Sequence, residues 1–425
     1  MSNRVAQVRP ERSPESGSRA PAATHGRKKS GDLGNGPDHG DDAVAGGQIG
    51  PVPAESEAAV SEAAESDLAG QRADASRPVI AVTGAARGLG LALTARLAQS
   101  PLVARVVAID LNRGDVSGVT WRIADVRDPA LAGRLSDVDV VVHTDVDFSP
   151  DSEARIRRAF NVRGAQTVLT AAAAGGVGRV ILVTSAMVYG ARADNAVPLP
   201  EDAPLSADSD DSVVSDLLEI EHLAERSPRA HLGLQVSVAR PAALVGDGID
   251  TLVTRHFEAP RLLAVKGCAA RWQFCHIDDL VSALELAVDG KVTGAFAVGS
   301  DGWLEQDELE EIAGLRRIEL PAGLTFATAQ RLHRAGITPA PVADLRYVVY
   351  PWVVDCKALR EAGWQPQYDN STALEVLLAQ RAGHHAVAGR RLGKKDATIT
   401  AAGATVAVIG TAAVVRQVRR RRRGT

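Results

Sequence analysis

The stretch Val79-Ile80-Ala81-Val82-Thr83-Gly84-Ala85-Ala86-Arg87-Gly88-Leu89-Gly90 decides the fold. Val79 to Val82, directly after Pro78, form an apolar run that reads as a strand buried on both faces. A turn with three glycines follows, and Leu91 to Ala98 then carries apolar residues at helical spacing. Without side chains at Gly84, Gly88 and Gly90 the backbone turns tightly. A pyrophosphate can then approach the free N–H groups at the helix start. Strand, glycine turn and helix in this order are what a dinucleotide fingerprint requires; a plain turn with no ligand is the ordinary alternative. Gly84, Arg87, Gly88, Leu89 and Gly90 are therefore the candidate phosphate-side residues.

The same rhythm continues outward. A second strand, Val103 to Ile109, ends in Asp110, 26 residues after Gly84. A carboxylate there would hydrogen-bond ribose hydroxyls and repel a 2′-phosphate, which favours NAD. Arg87 could meet such a phosphate, so NADP stays open. Apolar runs at Val138–Val142 and Val180–Val183 flank a helix expected over about 152–174. A helix at about 213–226 and a strand at 234–239 extend the alternation. Strands alternating with helices give an α/β fold, a Rossmann-type doubly wound parallel sheet. Residues 191–212, rich in Pro and Asp, read as an exposed loop. After Arg240-Pro241 the rhythm becomes irregular, suggesting a smaller C-terminal lobe. The expected division is an arm at 1–77, a dinucleotide-binding domain at 78–240, a substrate lobe at 241–380 and a basic tail at 381–425.

The ordered motifs resemble those of the extended short-chain dehydrogenase/reductase family, the NAD-dependent sugar-nucleotide epimerases and dehydratases, over roughly 79–370. Asp125-Val126-Arg127-Asp128 is similar to the adenine-contacting segment, and Val141-Val142-His143-Thr144 to the strand under the nicotinamide side. Asn161-Val162-Arg163-Gly164 matches the Asn-Val-x-Gly of the next helix. Thr184-Ser185-Ala186-Met187-Val188-Tyr189-Gly190 resembles the Ser-Ser-x-x-Val-Tyr-Gly signature. Arg240 to Gly246, Trp272 to Leu280 and Leu359 to Pro366 resemble the later motifs. The resemblance implies NAD as cofactor, held also by Asp125, Val126 and His143, with Ser185 as the catalytic hydroxyl. It implies a small-molecule substrate such as a nucleotide sugar, and leaves a homodimer open.

Two departures stand out. The glycines are spaced GxxxGxG, as in the shorter members. The family's Tyr-x-x-x-Lys is missing: none of Tyr189, Tyr347, Tyr350 and Tyr368 has a lysine four residues later. Anchoring on Glu221 puts Val213 at the Tyr position and Leu217 at the Lys position. Neither moves a proton, and losing the acid/base group costs a typical factor of about 10²–10⁴. Tyr189 belongs to a packing motif. His143, His222, His276, Asp216 and Glu219 are the candidate substitutes, each with an ordinary structural reading. Two functions follow: an epimerase or oxidoreductase with a non-standard acid/base, or a dinucleotide-binding scaffold or redox sensor. Asp278 and Asp279 read as helix-capping carboxylates, and Trp272 and Phe274 as packing.

The 425 residues carry 45% hydrophobic and 24% charged side chains and a net charge of −4, which argues against a nucleic-acid binder. Three cysteines without CxxC spacing exclude a disulfide scaffold and fit a reducing cytosol. Residues 1–77 contain no Phe, Trp or Tyr and no signal-type apolar segment, so a disordered arm is expected. Residues 397–415 are uncharged, and six arginines follow between Arg416 and Arg423. At about 1.5 Å per residue this segment barely reaches a bilayer core. The expected location is cytoplasmic, with attachment to the inner face of the plasma membrane through 397–425 as an option.

Overall fold

The computed structural model describes residues 77–381 except 209, 269 and 336–340, together with the backbone of 386–387 and 390–391. Residues 1–76 and the apolar and arginine-rich segments at 397–425 lie outside the described residues. No helix among the described residues is long and apolar enough to cross a membrane.

Seven parallel strands form the central sheet: β1 (Val79–Thr83), β2 (Arg105–Asp110), β3 (Thr120–Ile123), β4 (Val140–His143), β5 (Arg179–Val183), β6 (Gln235–Pro241) and β11 (Ala295–Val298). Their order is β11-β6-β5-β4-β1-β2-β3. β1 pairs with β2 on one side and β4 on the other, so the chain reverses its winding at β1. Loops leaving β1 and β4 diverge there and open a crevice at the carboxyl ends of the strands.

The apolar runs form strands because both faces are covered. Ile80 and Val82 of β1 pack into one core with α1 (Gly88–Ala98) and α5 (Ile277–Val288). Ala81, between them, points into the other core with α2 (Ala154–Ala174) and α3 (Val213–Ala230). Val140, Val141 and Val142 of β4 alternate in the same way. The edge strand β3 carries no fully buried residue, and its mixed Thr-Trp-Arg-Ile composition hid it from the sequence reading.

The expected boundary at 240 runs through the sheet. Beyond it, β7 (Ala243–Val245) pairs with β10 (Phe274–His276), and β8 (Leu262–Val265) with β13 (Arg317–Leu320). The chain then returns to the main sheet, where β11 lies beside β6. The 191–212 loop is pinned rather than free: Leu199 N–H donates to Val353 O at 2.7 Å, and Asp355 N–H to Leu199 O at 2.8 Å. The Glu201 carboxylate accepts from Ala297 N–H at 2.7 Å and Ala358 N–H at 2.9 Å. Asp279 does not cap α5 but accepts from the N–H groups of Gln367 and Tyr368. The cap is His276, whose ring accepts from Asp278 N–H. Trp272 and Phe274 are buried and stacked, with centroids 6.4 Å apart.

One buried charge network ties β5, α3 and β6. Arg240 donates to both Glu221 oxygens at 2.9 and 2.8 Å, and the Thr184 hydroxyl donates to Glu221 at 2.7 Å. Arg240 also donates to the Tyr189 hydroxyl, which donates to Glu201 O at 2.7 Å. Tyr189 is thus a packing residue, as its motif implied. Arg240→Ala leaves Glu221 buried and short of its charge partner, so destabilisation of about 3–5 kcal/mol is expected in chemical denaturation.

Candidate functional site

The glycine turn is built on contacts that no side chain could share. Gly84 has φ +71°, and a Cβ there would lie 3.0 Å from Asp145 Cα. A Cβ on Gly90 would fall 2.0 Å from the Gly84 carbonyl oxygen. The first turn of α1 therefore rests on the turn leaving β1. Arg87 at its N-cap makes no side-chain capping bond. The early N–H groups of α1, at Gly88, Leu89 and Gly90, have no partner within the helix.

Asp110 ends β2 and is 3% exposed. Ala86 N–H donates to one oxygen at 3.1 Å and Asn112 N–H to the other at 3.2 Å. The carboxylate is thereby oriented at the turn, with lone pairs to spare for hydroxyl donors.

Between these elements and the segments 241–253 and 341–352 lies a cavity of about 750 Å³. It brings together Gly84, Arg87, Gly88, Leu89 and Ser185. Gly90, Asp110, Asp125, Val126 and His143 are not among the residues of its wall. Asp125 binds Arg127 at 2.6 Å, and Arg127 itself lines the cavity with its guanidinium over the Phe160 ring. The Arg127 hydrogen bonds hold the Asp125 carboxyl below the usual carboxylate range. Val126 is 1% exposed and packs under Gly164. His143 is wholly buried, with Nδ1 2.7 Å from the Thr83 hydroxyl; burial pushes its pKa down to about 4. It is a neutral core imidazole, because no carboxylate or solvent reaches it to support a charge. Ser185 accepts from Met187 N–H at 3.2 Å and donates weakly to Pro241 O at 3.3 Å.

Val213 lines the cavity and Leu217 is fully buried, so neither supplies chemistry. The five candidate substitutes also stand elsewhere. Asp216 is buried against Arg157 at 2.8 Å. Glu219 lies near Arg226 and Arg158, and His222 is exposed. His276 stacks on Tyr368 with centroids 3.6 Å apart.

Four acids on the wall have no place in the sequence reading: Asp145, Asp147, Asp250 and Asp344. Asp145 follows β4 and pairs with Arg87 at 3.0 Å; its side chain is 10% exposed against 66% for Arg87. Burial raises its pKa to about 6, Arg87 opposing and Asp110 and Asp125 adding to the rise. Asp344 lies in the 3-10 helix Val342–Val348, and burial raises it to about 7. Asp145 could have been noticed as a carboxylate just after a buried strand. Asp344 has no signal in its irregular surroundings.

Residues 80–299 match the sequence profile of the NAD dependent epimerase/dehydratase family. The chain belongs to that family. Members of this epimerase/dehydratase family are described as NAD dependent, which agrees with the cofactor expected from Asp110. An uncharacterized protein of Mycobacterium tuberculosis is 32% identical over 312 residues, 70% of this chain and 82% of its own. UDP-glucose 4-epimerase of Thermotoga maritima, solved with UDP-glucose, shares the fold with a TM-score of 0.53 at 18% identity, covering 71% of this chain and 97% of its own. The Stenotrophomonas maltophila UDP-glucose 4-epimerase, solved with NAD, gives 0.55 at 20% identity, covering 72% and 98%.

Asp145 is expected to make dinucleotide binding depend on pH. A pyrophosphate at the turn raises the Asp145 pKa further above its free value of about 6, so binding takes up a proton. Affinity is expected to fall as pH rises from about 6 to about 8. Asp145→Asn should flatten that fall and bind several-fold more tightly at the upper end, measured by calorimetric titration across the range.

Proposed function

We propose that this chain binds NAD(H) along the crevice at the carboxyl ends of β1, β2 and β4 and exchanges hydride with a small molecule beside Ser185. The turn from Gly84 to Gly90 carries the reading. Its glycines leave a cradle that a Cβ would fill, and free helix N–H groups face it. Gly88, Leu89 and Gly90 would hold the pyrophosphate, and Asp110 the adenosine ribose hydroxyls. Asp110 opposes a 2′-phosphate, while Arg87 is engaged by Asp145. Bound NAD would supply the hydride acceptor and, when reduced, the donor.

Ser185 Oγ accepts from Met187 N–H and donates only a long bond to Pro241 O, so its hydrogen can turn toward a substrate oxygen. A nucleotide sugar is the substrate class that the relatives' names suggest. The charges on the wall support a different class. A second reading, dinucleotide binding without turnover, is favoured by Val213 and Leu217 at the positions of the missing pair.

Calorimetric titration of the full chain with NAD⁺, NADH, NADP⁺ and NADPH tests the reading. NAD(H) should bind in preference. Asp110→Ala, which removes charge-assisted hydrogen bonds, should weaken NAD by about tenfold or more and narrow the gap to NADP. Preference for NADP(H) would pass the role of Asp110 to Arg87. No binding by any of the four would end the cofactor assignment.

A further inference from the structure

Asp344 shares the cavity wall with Ser185, Met187 and Val213. It is 5% exposed, and its Oδ1 has no hydrogen-bond partner among the described residues. The Ser212 hydroxyl, at the N-cap of α3 and next to Val213, lies beside the carboxyl. The segment is tied to the Ser185 turn: Tyr347, three residues on, donates to Met187 O at 2.9 Å.

The surrounding charges oppose an ionised Asp344. Asp210 and Asp216 face it, as does the Tyr347 phenol. Arg157 is the cation that faces it, but its Nε is taken by Asp216 at 2.8 Å and a terminal nitrogen by Asp211 O at 2.6 Å. A carboxyl kept neutral in an apolar wall is a proton donor, the usual device where acid chemistry runs near pH 7.

The other charges describe what this donor serves. Three arginines line the cavity, and each already has a carboxylate: Arg87 with Asp145 at 3.0 Å, Arg127 with Asp125 at 2.6 Å, Arg157 with Asp216 at 2.8 Å. Among the described residues no lysine or histidine lines it. A sugar diphosphate placed beside the dinucleotide would bring further negative charge with no unpaired cation among the described lining residues to meet it. Beside these paired charges the wall also carries apolar residues, Pro241, Leu252 and Trp352 among them.

We propose that Asp344 is the proton carrier of this cavity, working on the oxygen of an uncharged, largely apolar carbonyl or hydroxyl compound. The proposal rests on the NAD(H) reading above. In the reducing direction the Asp344 O–H bond breaks and the proton goes to the carbonyl oxygen. NADH held at the Gly84–Gly90 turn would supply the hydride for the carbonyl carbon, and the product would be an alcohol. The Asp344 carboxylate regains its proton from solvent. In the oxidising direction the Asp344 carboxylate would take the hydroxyl proton, with bound NAD⁺ supplying the hydride acceptor.

Two measurements on the full chain test this. In infrared difference spectra of wild type against Asp344→Asn, taken without dinucleotide, a protonated carboxyl should be present at pH 6 and vanish as pH rises past about 7. A carboxylate already ionised at pH 6 would overturn the proposal. In the second, NADH consumption is followed with cyclohexanone, 4-phenylbutan-2-one and decanal, each with and without UDP-glucose. At least one carbonyl should be reduced, and UDP-glucose should not compete. Asp344→Asn should lower kcat by about 10²-fold or more, leave KM for NADH unchanged and remove the alkaline fall of the rate. Turnover of the variant within about threefold of wild type, competition by UDP-glucose, or no carbonyl reduced while NADH is bound would each overturn it. A chain that binds no NADH fails at the cofactor reading, visible as absent binding rather than lost turnover.

Discussion

The contact between Gly90 and the Gly84 carbonyl is the constraint on which the rest of the site depends. A β-carbon on Gly90 would stand 2.0 Å from that oxygen, so the first turn of α1 can lie on the end of β1 only as glycine against glycine. This approach presents the helix N-terminus to the crevice. It also brings the β4 loop close enough for Asp145 Cα to lie 3.0 Å from where a Cβ on Gly84 would be. The reversal of winding at β1 opens the crevice, and the glycines decide how near a ligand comes to the backbone.

The buried charges divide into two kinds. Arg240 with Glu221, and Arg157 with Asp216, are closed pairs with further hydrogen bonds, and they hold elements together. Asp145 and Asp344 are not compensated in that way: one has a mostly exposed arginine, the other an oxygen without a partner among the described residues. Both lie on the cavity wall. An acid left under-satisfied beside a cavity is a cost to the folded state, and such costs concentrate where chemistry or binding uses them.

Much of this was readable in the residues. Val79 to Gly90 announced its own strand, turn and helix, and the apolar runs at 138–142 and 180–183 fell on β4 and β5. Asp110 was placed at the end of its strand by spacing alone. Local pattern has a period, and these elements obey it. The edge strand β3 escaped because half-exposed residues carry no strong alternation. His143 looked like a cleft residue because strand position does not say which way an imidazole turns; here it turns to Thr83 in the core. Asp344 was out of reach because its meaning lies in neighbours from distant parts of the chain: Ser212, Asp210 and Arg157.

The Glu201 carboxylate, shared between the N–H groups of Ala297 and Ala358, joins elements that are far apart in the chain. One side chain from the long connection after β5 clasps the edge strand of the sheet and the start of a late helix, and Leu199 fastens the same connection to the 353–355 backbone. A single acid thus couples the sheet edge to the late helix: losing it would strip the acceptor from two backbone N–H groups at once, so the cost falls on both elements together.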